Sequence, residues 1–257
     1  MAGEEDRFDV DETFDEDYLY FYAHLTPELS EEQADLIWRL LDIQPGMEVL
    51  DLACGHGRIA NRLAVRGARV TGLDQTRVFL DLARGEATQM GVTVKYVEGD
   101  MRAIPWTGTF DRVVSWFTSF GYFDDEGNRD VLRQAHGALK PGGRFLVDLN
   151  HRDWLIANML EETVVRRGDD IMVDGHRFDP LTGRLHDDRL VIRDGRVRRF
   201  RFFTRLFTFT EVGGWLEAEG FTGVGGYGED GEALTLDHRR MIVTSRRSTG
   251  GARPSGG

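Results

Sequence analysis

Cysteine is almost missing from the 257 residues. Cys54 stands alone, so no disulfide can form within the chain, which suits a reducing cytoplasm. A catalytic role for it needs a histidine base in reach, and the simpler reading is a small buried packing residue. Lysine is scarce as well. Lys95 and Lys140 are the only two, which leaves few candidates for Schiff-base chemistry. No apolar run approaches the roughly 18–20 residues that a membrane-spanning helix needs, so no membrane partner is expected. The first residues are acidic, unlike the basic-then-apolar start of a secretory signal. There is no excess of positive charge: 32 Lys and Arg against 44 Asp and Glu leave −12, which argues against a nucleic-acid backbone as partner. No internal repeat is visible, and no His, Cys and Asp cluster has metal-ligand spacing, so no metal is expected.

What is there is organised around Val49-Leu50-Asp51-Leu52-Ala53-Cys54-Gly55-His56-Gly57-Arg58. Val49, Leu50 and Leu52 read as the end of a buried strand. Gly55 and Gly57 make a tight turn, and Ile59 to Ala64 has helical spacing. Strand, glycine turn and helix let backbone N–H groups approach a nucleotide-like ligand.

Residues 1–17 hold nine acids against Arg7 and read as a solvated arm. Tyr18 to Leu25 carries four aromatics, either packing on the domain or closing as a lid over a ligand. Pro27 to Leu41 reads as a helix with Ser30 as N-cap and Gln33 three residues on. Strands are expected at Met47–Leu52, Arg69–Asp74, Val92–Val97, Phe110–Trp116 and Arg144–Leu149, with helices between them. That alternation means βαβ units and a parallel sheet. After Asn150 the rhythm changes. Val164 to Thr210 reads as an antiparallel meander of three or four strands, with turns at Asp179–Gly183 and Asp194-Gly195. Its last strand alternates Arg198, Arg199, Arg201 and Arg205 with phenylalanines. This fits one wet and one buried face, or an arginine grip on an anionic substrate group. A helix from an N-cap at Thr210 to Gly220 and strands at 221–227 and 240–244 complete the chain. Residues 248–257 read as a floppy tail.

Gly55-x-Gly57-x-x-Ala60 with Asp74 at the end of the second strand fits a dinucleotide site, so an NAD-type oxidoreductase is one reading. Three features lead elsewhere. Asp51 sits inside the turn motif, where a carboxylate serves an ammonium group and not a pyrophosphate. Asp100-Met101 follows the third strand and offers an acid for an exocyclic amine and a thioether for a purine face. Leu139-Lys140-Pro141-Gly142-Gly143 leads into the fifth strand.

Together, over about residues 36–150 and again at 210–245, these motifs resemble the class I S-adenosylmethionine-dependent methyltransferases of small-molecule type. The resemblance implies an α/β, doubly wound, Rossmann-like seven-stranded sheet in the order 3-2-1-4-5-7-6, with strand 7 antiparallel and an antiparallel β insertion after strand 5. It implies a cofactor-binding domain at 36–155 and 210–247. The insertion at 156–209 would be a substrate cap or dimer surface, and residues 1–35 an acidic arm and aromatic lid. Methyl transfer from S-adenosyl-L-methionine to N, O or C of a small-molecule acceptor would follow, in a cytoplasmic monomer or homodimer, with no nucleic-acid motif such as Asn-Pro-Pro-Tyr present.

The resemblance also assigns residues. Asp51, Ala53, Gly55 and Gly57 would lie against the methionine part and Asp74 with Gln75 at the ribose. Asp100 and Met101 would hold the adenine, while Trp116 and Phe117, with Thr118, would line the path to the acceptor. Family members carry glycine where Ala53 stands, so the backbone is expected to avoid positive φ there. His56 reads as a solvent-side spacer. Should a general base be needed, His151, Tyr122 and His24 are the candidates.

Overall fold

Val49, Leu50 and Leu52 are fully buried because the strand they form is covered on both faces, as a central parallel strand must be. The computed structural model describes residues 9–249, and every count below is of those residues. The first residues of the acidic arm and the tail from 250 onward lie outside them.

In chain order the elements begin with α1 (Val10–Thr13), α2 (Glu16–Phe21), α3 (Pro27–Leu41), β1 (Glu48–Leu52), α4 (Ala60–Val65), β2 (Arg69–Asp74) and α5 (Arg77–Gln89). They continue with β3 (Lys95–Glu98), β4 (Phe110–Ser115), α6 (Asp125–Ala138), β5 (Leu139–Asn150) and α7 (Arg152–Asn158). The antiparallel strands β6 (Glu162–Arg167), β7 (Asp170–Asp179), β8 (Arg184–Arg193) and β9 (Arg196–Arg205) come next, then α8 (Phe209–Ala218), β10 (Phe221–Tyr227) and β11 (Arg240–Arg247).

Seven strands form one sheet in the order β10-β11-β5-β4-β1-β2-β3. β1, β2, β3, β4 and β5 pair in parallel, while β11 runs antiparallel to both β5 and β10. This is the 3-2-1-4-5-7-6 order that the sequence resemblance implies. One core cluster, built on Phe110, Phe145, Leu132 and Leu216, lies between the sheet, α6 and α8. A second, built on Ile37, Leu41, Leu63 and Leu80, lies between the sheet and α3, α4 and α5. Ligands in such sheets bind outside the carboxyl ends of the strands, where the strand order reverses. Here that point lies between β1 and β4.

β6–β9 form a separate four-stranded meander, the fullest version of the pattern expected from the turn residues. Gly183 sits at φ 68°, and Asp194 and Gly195 at 50° and 73°, the left-handed values that tight hairpins require. On β9, Phe200 and Phe202 are buried while Arg199 and Arg201 are exposed. All four arginines are engaged by this chain's own acids. Arg198 meets Asp15 and Asp17, Arg199 and Arg201 meet Asp188, and Arg205 meets Asp125 and Glu211. The two-faced pattern holds from Arg199 to Phe202 and breaks at the end of the strand, where Phe203, Thr204 and Arg205 are all buried, and the arginines are spent on these acids and not held open as an anion grip.

Two helix starts differ from expectation. Thr26 caps α3 by accepting from Leu29 N–H, because Pro27 takes the first helical position; Ser30 lies one turn inside and donates to the Thr26 carbonyl. Likewise Thr208, not Thr210, caps α8 by accepting from Glu211 N–H.

Candidate active site

The carboxyl ends of β1, β2 and β4 open into a cleft of about 910 Å³, part of it continuous with solvent. At its floor β1 ends and the glycine turn begins. Ala53 takes φ 53°, so the expectation that alanine would avoid positive φ is wrong. The left-handed conformation costs an L-residue roughly 1–2 kcal/mol, and the turn retains it because Gly55 (φ 55°) must continue toward Asp74. Gly55 N–H donates to Asp74 Oδ2 at 2.7 Å, and Thr76 N–H donates to Asp74 Oδ1 at 2.8 Å. Two backbone amides thus fix a carboxylate at the end of β2, each oxygen keeping a lone pair for a ligand hydroxyl. Burial raises its pKa, against the pull of those amides. Gly57, at φ 81°, has a second reason to be glycine. A Cβ there would fall on the Tyr96 hydroxyl and 2.7 Å from Ala83 Cβ, so its bareness serves the packing of α4 against α5 and β3. Gly57 does not line the cleft.

Asp51 is buried on β1, and its Oδ2 has no hydrogen-bond partner. Burial pushes its carboxyl up to about 7, while nearby Arg58 pulls the other way. Arg58, the residue after Gly57, is also buried and faces the same cleft. Its Nη1 donates to Gln33 Oε1 at 2.5 Å, its guanidinium lies 4.9 Å from the Phe117 ring, and its Nη2 has no partner. Two residues that line one cleft therefore each keep one buried atom without a partner, an acceptor on Asp51 and a donor on Arg58. An unmade buried hydrogen bond of this kind is costly, more so for charged groups. A zwitterionic amino-acid end, ammonium to Asp51 and carboxylate to Arg58, satisfies both at once.

Trp116 lines the cleft with its indole N–H donating to Gln33 Oε1 at 3.0 Å. After it, Phe117 and Thr118 occupy φ 64° and 59°. Gln75, Met101 and Gly99 also line the cleft, but Asp100 does not. Its carboxylate is turned onto Arg102, with Nε at 3.0 and 3.1 Å, and Arg102 in turn lies 4.2 Å from the Phe123 ring. Burial opposes the charge on Asp100, yet Arg102 holds its pKa below the ordinary carboxylate value.

The roof is aromatic. Phe14 and Tyr18, from the α1–α2 segment, reach over the cleft. Tyr18 stacks on Tyr22 at 4.3 Å and meets Phe79 at 5.9 Å, and Phe14 meets Tyr122 at 5.7 Å. Of the three candidate bases only Tyr122 lines the cleft, and burial raises its phenol pKa. His24 is exposed beside Tyr22 and lies outside it. His151 is buried at the start of α7, its Nδ1 donating to the His238 carbonyl at 2.7 Å, and it too lies outside. The residue just after β5 points toward the loop before β11, which is why position in the sequence misled. His56, expected as a solvent-side spacer, lines the cleft, where burial and Arg58 lower its pKa to about 4 and keep it neutral.

Sequence reasoning missed Arg58 and Gln33. The signal for Arg58 was present: an acid placed for an ammonium calls for a nearby cation to hold the carboxylate of the same ligand.

A family model described as a methyltransferase domain matches residues 49–143, from β1 to the turn inside β5. The chain is 26% identical over 187 residues to a Geobacillus sp. protein named as a methyltransferase, covering 70% of this chain and 75% of that one. It is 35% identical over 122 residues to a demethylmenaquinone methyltransferase of Thermus thermophilus, covering 44% of this chain and 54% of the relative, so the match there spans about half of the relative's length. The fold is shared with an S-adenosylmethionine-bound amino pentose methyltransferase of Micromonospora echinaspora involved in calicheamicin biosynthesis. The TM-score is 0.63 at 22% identity, over 95% of this chain and 99% of that one.

Proposed function

We propose that the chain is a class I S-adenosylmethionine-dependent methyltransferase, in line with the methyltransferase domain matched at residues 49–143, and that it methylates a small-molecule amine. The observation that carries the cofactor assignment is the pair of unspent buried atoms, Asp51 Oδ2 and Arg58 Nη2, on two residues that line one cleft. When bound, S-adenosylmethionine supplies an electrophilic methyl group on a sulfonium. Asp51 holds the ammonium, Arg58 Nη2 the carboxylate, and Asp74 with Gln75 the ribose hydroxyls. Met101 covers the adenine, and Asp100 reaches its amine by giving up Arg102. Ala53 and Gly55 bring the backbone close, and Trp116 and Phe117 wall the path to the acceptor. The domain at 36–155 and 210–247 carries these residues, the described part of residues 1–35 provides the lid, and 156–209 cap the acceptor side.

The cleft's own chemistry favours nitrogen. His24 and His151 lie outside it, His56 is held neutral as a weak base, and Tyr122 keeps its proton. A hydroxyl acceptor needs a base of matched pKa. An amine needs only its lone pair, and the aromatic walls that exclude water also disfavour its protonated form. Tyr18, Phe117 and Tyr122 orient the acceptor. The net charge of −12 supports a small molecule over a nucleic acid, and the lone buried thiol suits the cytoplasm.

The test is turnover. Formation of S-adenosylhomocysteine is followed with a panel of amino sugars and small amines beside matched phenols and alcohols. Turnover with amines, rising with pH as the amine loses its proton, is expected. Turnover confined to the hydroxyl acceptors overturns the choice of nitrogen. Binding of NAD in place of S-adenosylhomocysteine overturns the cofactor.

A further inference from the structure

Phe117 and Thr118 form a backbone that side chains resist. Both are left-handed, and Thr118 is β-branched, a combination that persists only where the surroundings over-determine it. The surroundings here are one buried carboxylate and its partner. Asp148 on β5 is 1% exposed. Its Oδ2 accepts from Phe117 N–H at 2.9 Å, and its backbone carbonyl accepts from Thr118 N–H at 3.1 Å. Arg240, at the start of β11, holds that carboxylate in a fork, Nε to Oδ1 at 2.9 Å and Nη2 to Oδ2 at 2.5 Å. Arg240 Nη1 also donates to Asn150 Oδ1 at 3.1 Å, the same oxygen that Thr118 Oγ1 reaches at 3.4 Å.

The product of this clamp is the position of one ring. Phe117 is set so that Arg58 lies 4.9 Å and Arg240 5.4 Å from its centroid. Arg58 is otherwise tethered only through Nη1, to Gln33 and Ser30. The Phe117 ring is the other contact that holds the guanidinium in place.

We propose that Asp148 and Arg240 are positioning residues for the amino-acid end of the cofactor: by clamping Phe117 and Thr118 in the left-handed region, they hold the Phe117 ring against Arg58 and so fix where Arg58 presents its guanidinium at the cleft. This rests on the methyltransferase reading. The clamp spans β4, β5 and β11, so an antiparallel strand remote from the glycine turn sets the geometry of the carboxylate site.

Two probes separate positioning from mere support of the fold: S-adenosylhomocysteine, which carries the amino-acid end, and 5′-methylthioadenosine, which lacks it. Asp148→Asn keeps an oxygen for Phe117 N–H but removes the charge that holds Arg240. It should weaken S-adenosylhomocysteine roughly tenfold by titration calorimetry, with 5′-methylthioadenosine unchanged. Adding Thr118→Gly, which adopts the left-handed backbone without a clamp, should bring S-adenosylhomocysteine back to within about threefold of the parent protein. Arg240→Gln should repeat the split, and amide exchange at residues 117 and 118 should quicken in both single variants. Equal weakening of the two probes, no weakening, or failure of Thr118→Gly to restore binding overturns the proposal. Should the parent protein not bind S-adenosylhomocysteine at all, the methyltransferase reading fails. The exchange rates then still test the clamp, and unchanged protection at 117 and 118 overturns it.

Discussion

The floor of the cleft and the inner face of the β6–β9 sheet both bury charge, and they treat it in opposite ways. On the inner face every charge has its counterpart. Asp174 and Arg189 form a fork at 2.6 and 2.9 Å, and Arg189 Nη2 also donates to the Tyr22 hydroxyl at 3.3 Å. His176 lies between Asp187 at 2.5 Å and Thr163 at 3.0 Å. At the cleft floor, Asp51 and Arg58 each keep one atom unspent. Burial has the same cost in both places. What differs is completeness: on that inner face the chain supplies the partner of each charge, and at the cleft floor it leaves one atom of Asp51 and one of Arg58 without a partner.

Breaking the cap's pairs should harm the fold more than the site. Asp174→Ala strands Arg189 and should cost about 3–5 kcal/mol of stability in denaturant unfolding. The folded fraction should keep its affinity for S-adenosylhomocysteine. A loss of affinity without a loss of stability would erase the contrast.

The cleft should behave in reverse. Asp51→Asn and Arg58→Met should each cost about 1.5–3 kcal/mol of S-adenosylhomocysteine binding, without a comparable loss of stability. Asp51 also predicts a pH dependence. Its folded pKa, about 7, lies above the ordinary 3.8, so the ligand-free protein loses stability as pH rises between these values and no further above them. An ammonium beside the ionised carboxylate reverses that preference. Affinity should then rise about tenfold per pH unit below pH 7 and level off above it, a slope that Asp51→Asn should abolish in calorimetry.

Smaller effects sharpen the boundary between the two regions. Asp74→Ala should cost about 1–3 kcal/mol of binding, through the ribose hydroxyls and the Gly55 and Thr76 amides it orders. At the rim, Asp17 joins α2 to Arg193 at 2.9 Å and Arg198 at 2.7 Å, across partly exposed side chains. Asp17→Asn should cost under about 1 kcal/mol, and less still at high salt. A large, salt-independent loss there would mean that the lid is part of the fold and not a cover over it.

The contrast also explains what could be read from the sequence. Asp51, Gly55, Asp74 and Met101 lie at or just after the carboxyl ends of strands whose apolar residues announce them, so their place at one sheet edge follows from chain order. The 3-2-1-4-5-7-6 sheet was legible for the same reason. Ala53 was misjudged because its positive φ is imposed by the link from Gly55 to Asp74, a tertiary contact with no local signature. His151 was misjudged because adjacency to β5 does not say which side of the next helix a ring will take. The clamp of Asp148 and Arg240 joins residues 92 positions apart, and nothing in either neighbourhood names the other. In the cap, the turns at 179–183 and 194–195 were plain, but the pairing of each arginine with its acid depends on strand register.

One titration bears most directly on the claim that the cleft is completed by a zwitterion. At about pH 8, where Asp51 is ionised, the unmodified protein is titrated with S-adenosylhomocysteine and with 5′-methylthioadenosine. Affinity for the first should exceed that for the second by about two to four orders of magnitude, the worth of two charged hydrogen bonds made at the amino-acid end. Equal affinities would mean that Asp51 and Arg58 do not hold that end, and the account of the cleft would be wrong.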